Sequence, residues 1–165
     1  MDIRIDDVQG SFKLRVVGIV RRNDGKILLQ NVEGNTFYCL PGGHAEIGES
    51  LTQAVQRELE EELQFNVNVE KLGFLAENFF YSNRTKTNMH EEGFYFYLKS
   101  PKQFSENEWV VHEVDKGVRK ELMYKWTSVD ELDTLDIRPA FLKDILKNMP
   151  TDFEHYVIRN DKRIN

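Results

Sequence analysis

Apolar residues in this chain follow two rhythms, a strand-like alternation and a helical three-and-four spacing, and the switches between them mark out the elements. "KLRVVGIVRR" is rich in β-branched residues, breaks at "NDG" and resumes as "KILLQN". That pattern predicts a β-hairpin, with Asp24-Gly25 in a tight turn of primed type. "NTFYCLPGG" reads as extended chain stopped by Pro41-Gly42-Gly43. Ser50 then offers an N-cap and Gln53 completes a capping box, so a helix is expected from residue 51. "FNVNVEKLGFLAENFFY" alternates at Phe65, Val67 and Val69 and predicts a strand. In "EEGFYFYLKS", Phe94, Phe96 and Leu98 share one face and Tyr95 and Tyr97 the other, as a sheet strand requires.

Residues 101–120 show no clear period and are expected as a hairpin or a long loop. "LMYKWTS" reads as a short strand and "SVDELDTL" as a helical turn behind Ser128. "IRPAFLKDILKNM" reads as an amphipathic helix with Pro139 in its first turn, and "HYVIRN" as an edge strand. Strands before, between and after helices predict an α/β (α+β) sandwich with a mixed sheet. A length of 165 residues suits one domain with a full core, residues 1–165. There is no internal repeat or low-complexity tract.

Charge narrows the function classes. The net charge is -6 and the basic residues are scattered, which argues against extended nucleic-acid contact. An acidic chain still binds an anion when metal ions supply the positive charge. The N-terminal "MDIRIDDVQGSF" carries aspartates where a secretory leader needs basic residues, and no apolar run nears the roughly 20 residues that span a bilayer. A single cysteine, Cys39, excludes an intramolecular disulfide. A soluble, cytoplasmic protein with no membrane partner is expected.

The most informative stretch is "GGHAEIGESLTQAVQRELEEELQFNV", residues 42–67. On a helix turning about 100° per residue, Leu51, Ala54, Val55, Leu59 and Leu63 form one apolar stripe. Glu58 and Glu62 fall within that stripe, Glu61 on its border, and Glu60 on the opposite, solvated side. Unpaired carboxylates are costly to bury, and the one nearby cation, Arg57, cannot compensate three of them. A divalent metal site is the economical explanation, and hard oxygen ligands favour Mg²⁺ or Mn²⁺. Taken alone, the phase leaves this reading about level with a solvated helix face.

Spacing adds an independent argument. Gly43 is followed after five residues by Glu49, and after seven more by Arg57-Glu58-Leu59-Glu60-Glu61-Glu62-Leu63-Gln64-Phe65. This resembles the Nudix box at residues 43–65, departing from it where Gln64 replaces the usual glycine. Such a glycine commonly ends a helix in the left-handed conformation, so Gln64 implies a strained turn or a shifted helix end. The resemblance implies an enzyme that hydrolyses a nucleoside diphosphate linked to another group, with Mg²⁺ on a loop–helix–loop. It also implies Glu58, Glu61 and Glu62 as metal ligands, with the Gly42-Gly43 backbone near the metal and the substrate. Arg57 would orient a glutamate and Glu49 would brace the loop. The chemistry suits these residues, because attack of water on a pyrophosphate needs charge neutralisation and an activated nucleophile.

Outside the box, Glu121 is the candidate for an additional catalytic carboxylate, with Glu113 behind it. Arg84, Arg15 and Lys86 are candidates for phosphate contact, although a lone cation is more often a solvated surface residue. Tyr81 could stack on a nucleobase; Phe79 and Phe80 fit the core better. His90 is a pocket candidate, His44 could reach the phosphates, and His112 and His155 read as surface or structural. The proline that ADP-ribose-cleaving relatives carry after the box is absent, as is the motif of the NADH-cleaving group. The simplest substrate is a nucleoside triphosphate, cleaved to monophosphate and pyrophosphate. A dinucleoside polyphosphate or nucleotide-sugar pyrophosphatase, a capped-RNA pyrophosphohydrolase, and a non-catalytic nucleotide-sensing module stay open as alternatives. A monomer or a homodimer is expected.

Overall fold

The computed structural model describes residues 1–100, 106–115 and 118–160, and for residues 113–115 and 118 the backbone alone. One mixed sheet carries the strands β1 (Arg4–Asp7), β2 (Gly10–Arg21), β3 (Ile27–Val32), β4 (Gly42–His44), β5 (Asn68–Ser82), β6 (Thr87–Lys99), β7 (Glu108–Asp115), β8 (Val118–Thr127) and β9 (Glu154–Asn160). Its main path runs β7-β8-β3-β2-β6-β5-β9, with β1 and β4 both paired to β2. Helix α1 (Leu51–Leu63) covers one face, and a 3-10 turn (Val129–Thr134) with helix α2 (Leu142–Lys147) covers the other. The predicted α+β sandwich with a mixed sheet is the architecture found.

Alternation along the strands feeds two cores. Val16, Val20, Phe96, Leu98 and Trp126 pack against Ala54, Val55, Leu59 and Leu63 of α1. Val17, Ile19, Tyr95 and Tyr97 pack on the far side with Leu132, Ile137, Leu142 and Leu146. The opposite faces expected for Phe96 and Tyr95 are therefore observed. Each fully buried large aliphatic side chain contributes on the order of 2 kcal/mol, so both layers are held mainly by burial.

The β2–β3 corner positions the site. These strands share a single register pair, Arg21↔Ile27, and then diverge. The segment around Cys39–His44 fills the wedge: Cys39 pairs with Gln30 of β3, while Gly42 and Gly43 pair with Val17 and Val16 of β2. Pro41-Gly42-Gly43 therefore continues into a short strand instead of simply stopping one. Gly42, at φ 144°, fits this slot because a Cβ there would stand 2.3 Å from the Val16 carbonyl oxygen.

Two other expectations change, and a third resolves to one of its alternatives. The β2–β3 turn is not primed, since Gly25 alone has a positive φ and its N–H bonds to the Arg22 carbonyl. The central residues of that turn, Asn23 and Asp24, have no positive φ, which either primed type needs at its first central position. Helix α2 spans only Leu142–Lys147; Pro139 lies before it, after a cis peptide bond, outside any first helical turn. The region expected as hairpin or loop forms the β7–β8 hairpin, although residues 101–105 and 116–117 lie outside the described residues. No helix among the described residues is long and apolar enough to cross a membrane.

Candidate active site

Helix α1 begins as its sequence dictates. The Ser50 hydroxyl accepts the Gln53 N–H and the Gln53 side chain accepts the Ser50 N–H, closing the capping box. The helix ends on Gln64 at φ 58°, whose N–H bonds to the Glu60 carbonyl. A non-glycine residue thus occupies the left-handed position, which is the strained alternative of the two the sequence offered.

Between these ends the carboxylates divide as the helical phase requires. Glu60 is exposed. Glu58 turns inward over Gly43, where an added Cβ would sit 2.0 Å from Glu58 Oε2. Only glycine leaves room for the carboxylate at that point. Glu62 reaches under the wedge, and its Oε2 accepts the Gly42 N–H at 3.1 Å. Burial pushes the Glu62 carboxyl up to about 8, against the opposing pull of hydrogen bonds from Gln30 and Gly42. Burial also raises Glu58, with Arg57 opposing it. Glu61, with its side chain 61% exposed, lies at the rim, 3.6 Å from Arg57.

Arg57 ties loop to helix. Its Nη2 and Nε grip the two oxygens of Glu49 at 2.7 and 3.1 Å, and Nη1 donates to Glu58 at 2.9 Å. Nη2 also reaches the His44 carbonyl at 3.2 Å. Glu49 in turn accepts the Glu46 N–H at 2.7 Å, so the loop 44–49 is stitched to the helix by one guanidinium. These bonds hold the Arg57 pKa above its ordinary value.

Behind the wedge stands Arg15, which donates from Nη2 to the Gly42 carbonyl at 3.0 Å and keeps a buried Nε without a hydrogen bond. It also lines a pocket of about 590 Å³ on the α2 side of the sheet, with Asn78, Phe80, Tyr81, Glu91 and Phe141. The Gly42 backbone therefore links two places: its N–H meets Glu62 and its carbonyl meets the guanidinium that walls the pocket.

The structure brings together Gly42, Gly43, Arg57, Glu58 and Glu62, with Glu61 at the edge, and places Tyr81 in the adjoining pocket. It does not bring in Glu121. Leu122, Tyr124 and Trp126 of β8 face α1, so Glu121 projects from the other face, exposed, with His112 at 3.6 Å. The Glu113 side chain lies outside the described residues. Arg84 is exposed in the β5–β6 turn, as is Lys86, and neither lines that pocket. Phe79 stacks on His90 at 4.2 Å and both line a second pocket of about 350 Å³ with Phe12 and Met89, while His155 meets Glu77 at 2.8 Å. His44 has its pKa lowered to about 4, by burial first and then by Arg15. Sequence reasoning missed Asn78 and Glu91. Their signal was periodic: each is polar at a step where its strand otherwise carries inward apolar or small residues, namely Phe74, Ala76, Phe80 and Gly93, Tyr95.

A profile of the NUDIX domain matches residues 12–149. The chain belongs to the Nudix family, hydrolases that act on phosphorus-containing anhydrides. By sequence, no curated protein matches. Among solved structures, the fold is similar to a MutT protein from Methanosarcina mazei Go1 (TM-score 0.57, 20% identity, covering 86% of this chain and 94% of that one). It is also similar to an ADP-ribose pyrophosphatase from Streptococcus suis 89-1591 (TM-score 0.55, 18% identity, 88% and 98%). A third likeness is the E. coli dihydroneopterin triphosphate pyrophosphohydrolase (TM-score 0.59, 18% identity, 82% and 94%). At these identities the likeness speaks for the fold.

Proposed function

We propose that the chain is a single Nudix unit that hydrolyses nucleoside or deoxynucleoside triphosphates to the monophosphate and pyrophosphate, with Mg²⁺ as cofactor and Mn²⁺ as a substitute. One observation carries the reading: a carboxylate pushed up to about 8 by burial, Glu62, sits one peptide away from a pocket of nucleoside size. The dihydroneopterin triphosphate pyrophosphohydrolase, by its name, agrees with a triphosphate substrate.

The residues fit a hard cation. Glu58, Glu61 and Glu62 would supply oxygen donors beside Gly43, whose missing Cβ leaves room for the Glu58 carboxylate. Among the described residues no three such side chains are drawn together, and Glu61 would have to turn inward from the rim to complete the set. When bound, the metal screens the phosphate oxygens and lowers the pKa of water. The chain's own groups do the rest. Arg57, braced by Glu49, holds Glu58 in place. The wedge peptide and Arg15 bring the phosphate chain against the helix. A carboxylate of the Glu58–Glu62 group accepts the proton of the attacking water. The new P–O bond forms as the bridging P–O bond breaks, and pyrophosphate leaves with the electron pair.

Phosphate and pyrophosphate release, assayed across nucleoside triphosphates, dinucleoside polyphosphates and nucleotide sugars with Mg²⁺ or with EDTA, tests this. Pyrophosphate from triphosphates, and only with metal, is the expected result. Glu62→Gln and Glu61→Gln should each lower kcat by about 100-fold or more with an unchanged circular dichroism spectrum. Undiminished turnover in either variant, or in EDTA, sinks the proposal.

A further inference from the structure

We infer that Glu91 and Asn78 read the base of the substrate, and that they select a 2-amino-4-oxopyrimidine edge, the edge shared by guanine and pterin. The inference rests on the reading of the 590 Å³ pocket as the nucleotide site. Asn78 of β5 and Glu91 of β6 are direct cross-strand partners, which sets their Cβ atoms about 5 Å apart on one face of the sheet. Both open into the pocket. Asn78 is only 6% exposed, yet its amide is not tied into a hydrogen bond with another described residue. Its polar atoms face the pocket, where a ligand can take up the amide's donor and acceptor.

The pair defines what can complete it. A carboxylate offers two acceptors and no donor; the neighbouring carboxamide adds an NH₂ donor. Guanine and pterin present, in a row, an amino N–H, a ring N–H and a carbonyl oxygen. The two N–H groups pair with Glu91, and the carbonyl accepts from Asn78. Adenine and cytosine set a ring-nitrogen lone pair against the carboxylate, and uracil sets two carbonyls beside its single N–H. Arg15, whose charge Glu91 stabilises, stands beside it at the pocket wall. Phe80, Phe141 and Tyr81 supply apolar and aromatic surface for the ring. A polar site of this kind rejects a ligand lacking the matching groups far more strongly than an apolar slot does.

Binding without turnover separates this inference from the hydrolytic reading. Calorimetric titration in EDTA with GMP, IMP, AMP and neopterin should give GMP and neopterin tightest, IMP about tenfold weaker for its missing amino group, and AMP at least about 100-fold weaker. Glu91→Gln should reduce the GMP-over-AMP ratio by about tenfold or more, and Asn78→Leu should reduce it with an unchanged Tm. Comparing kcat/KM for GTP and dihydroneopterin triphosphate then distinguishes the two sources of the edge, since the ribose and the open side chain differ. Equal binding of GMP and AMP, or a ratio untouched by Glu91→Gln in a folded protein, overturns the inference. Selective binding with no pyrophosphate release would overturn the proposed reaction and leave the base-reading pair standing.

Discussion

At the residue scale, the decisive group is Glu62, and its burial has a thermodynamic sign. The carboxyl is lifted from an ordinary 4.5 to about 8, so between those values the folded chain keeps a proton that the unfolded chain releases. Its contribution to stability is full below about pH 4.5 and is lost as the pH rises through about 8. In EDTA the protein should therefore lose roughly 5–10 °C more Tm between about pH 5.5 and 8.5 than Glu62→Gln does, on a scale of about 2–4 °C per kcal/mol. Thermal melts of the two proteins at matched pH check this; identical slopes would mean that Glu62 is already ionised in the fold. The sequence made much of this legible, because helical phase alone separated Glu58 and Glu62 from Glu60. It placed Glu61 on the border, and the side chain does lie at the rim.

At the element scale, helix α1 shows what periodicity and capping carry and where they stop. Its start was fixed by Ser50 and Gln53, and its buried stripe by the spacing of Ala54, Val55, Leu59 and Leu63. Its end holds a conflict that the sequence announced, a glutamine at φ 58° where glycine is at ease. Gln64→Gly should therefore stabilise the protein by about 0.5–1 kcal/mol, after discounting the extra freedom glycine gains in the unfolded chain. A Tm higher by about 1–4 °C, with kcat unchanged within error, is the expected outcome, and a lower Tm would show the turn to be unstrained. Helix α2 was overextended because an apolar pattern cannot distinguish a helix from a packed irregular segment. Ile137 is buried and Phe141 partly so, and neither continues the helix.

At the scale of the whole molecule, strand register decides which distant residues meet, and register is weakly written in a single sequence. Asn78 and Glu91 stand opposite one another because β5 and β6 pair through two bulges, which shift every later partner. Glu121 illustrates the converse. It precedes Trp126 by an odd number of residues, so the alternation that buries Trp126 turns Glu121 to the other face. Glu121→Gln should accordingly leave kcat/KM within about twofold of the wild type, and a fall of about 100-fold would show that the β7–β8 hairpin moves over the site during turnover. The two sheet halves meet side by side through one β2–β3 register pair and then separate. A cleft spread by inserted main chain has an opening set by peptide geometry, not by bulky side chains. The groups that contact a base can thus be exchanged on β5 and β6 without altering the spacing between helix α1 and the wedge, so a change of diet need not disturb the scissors.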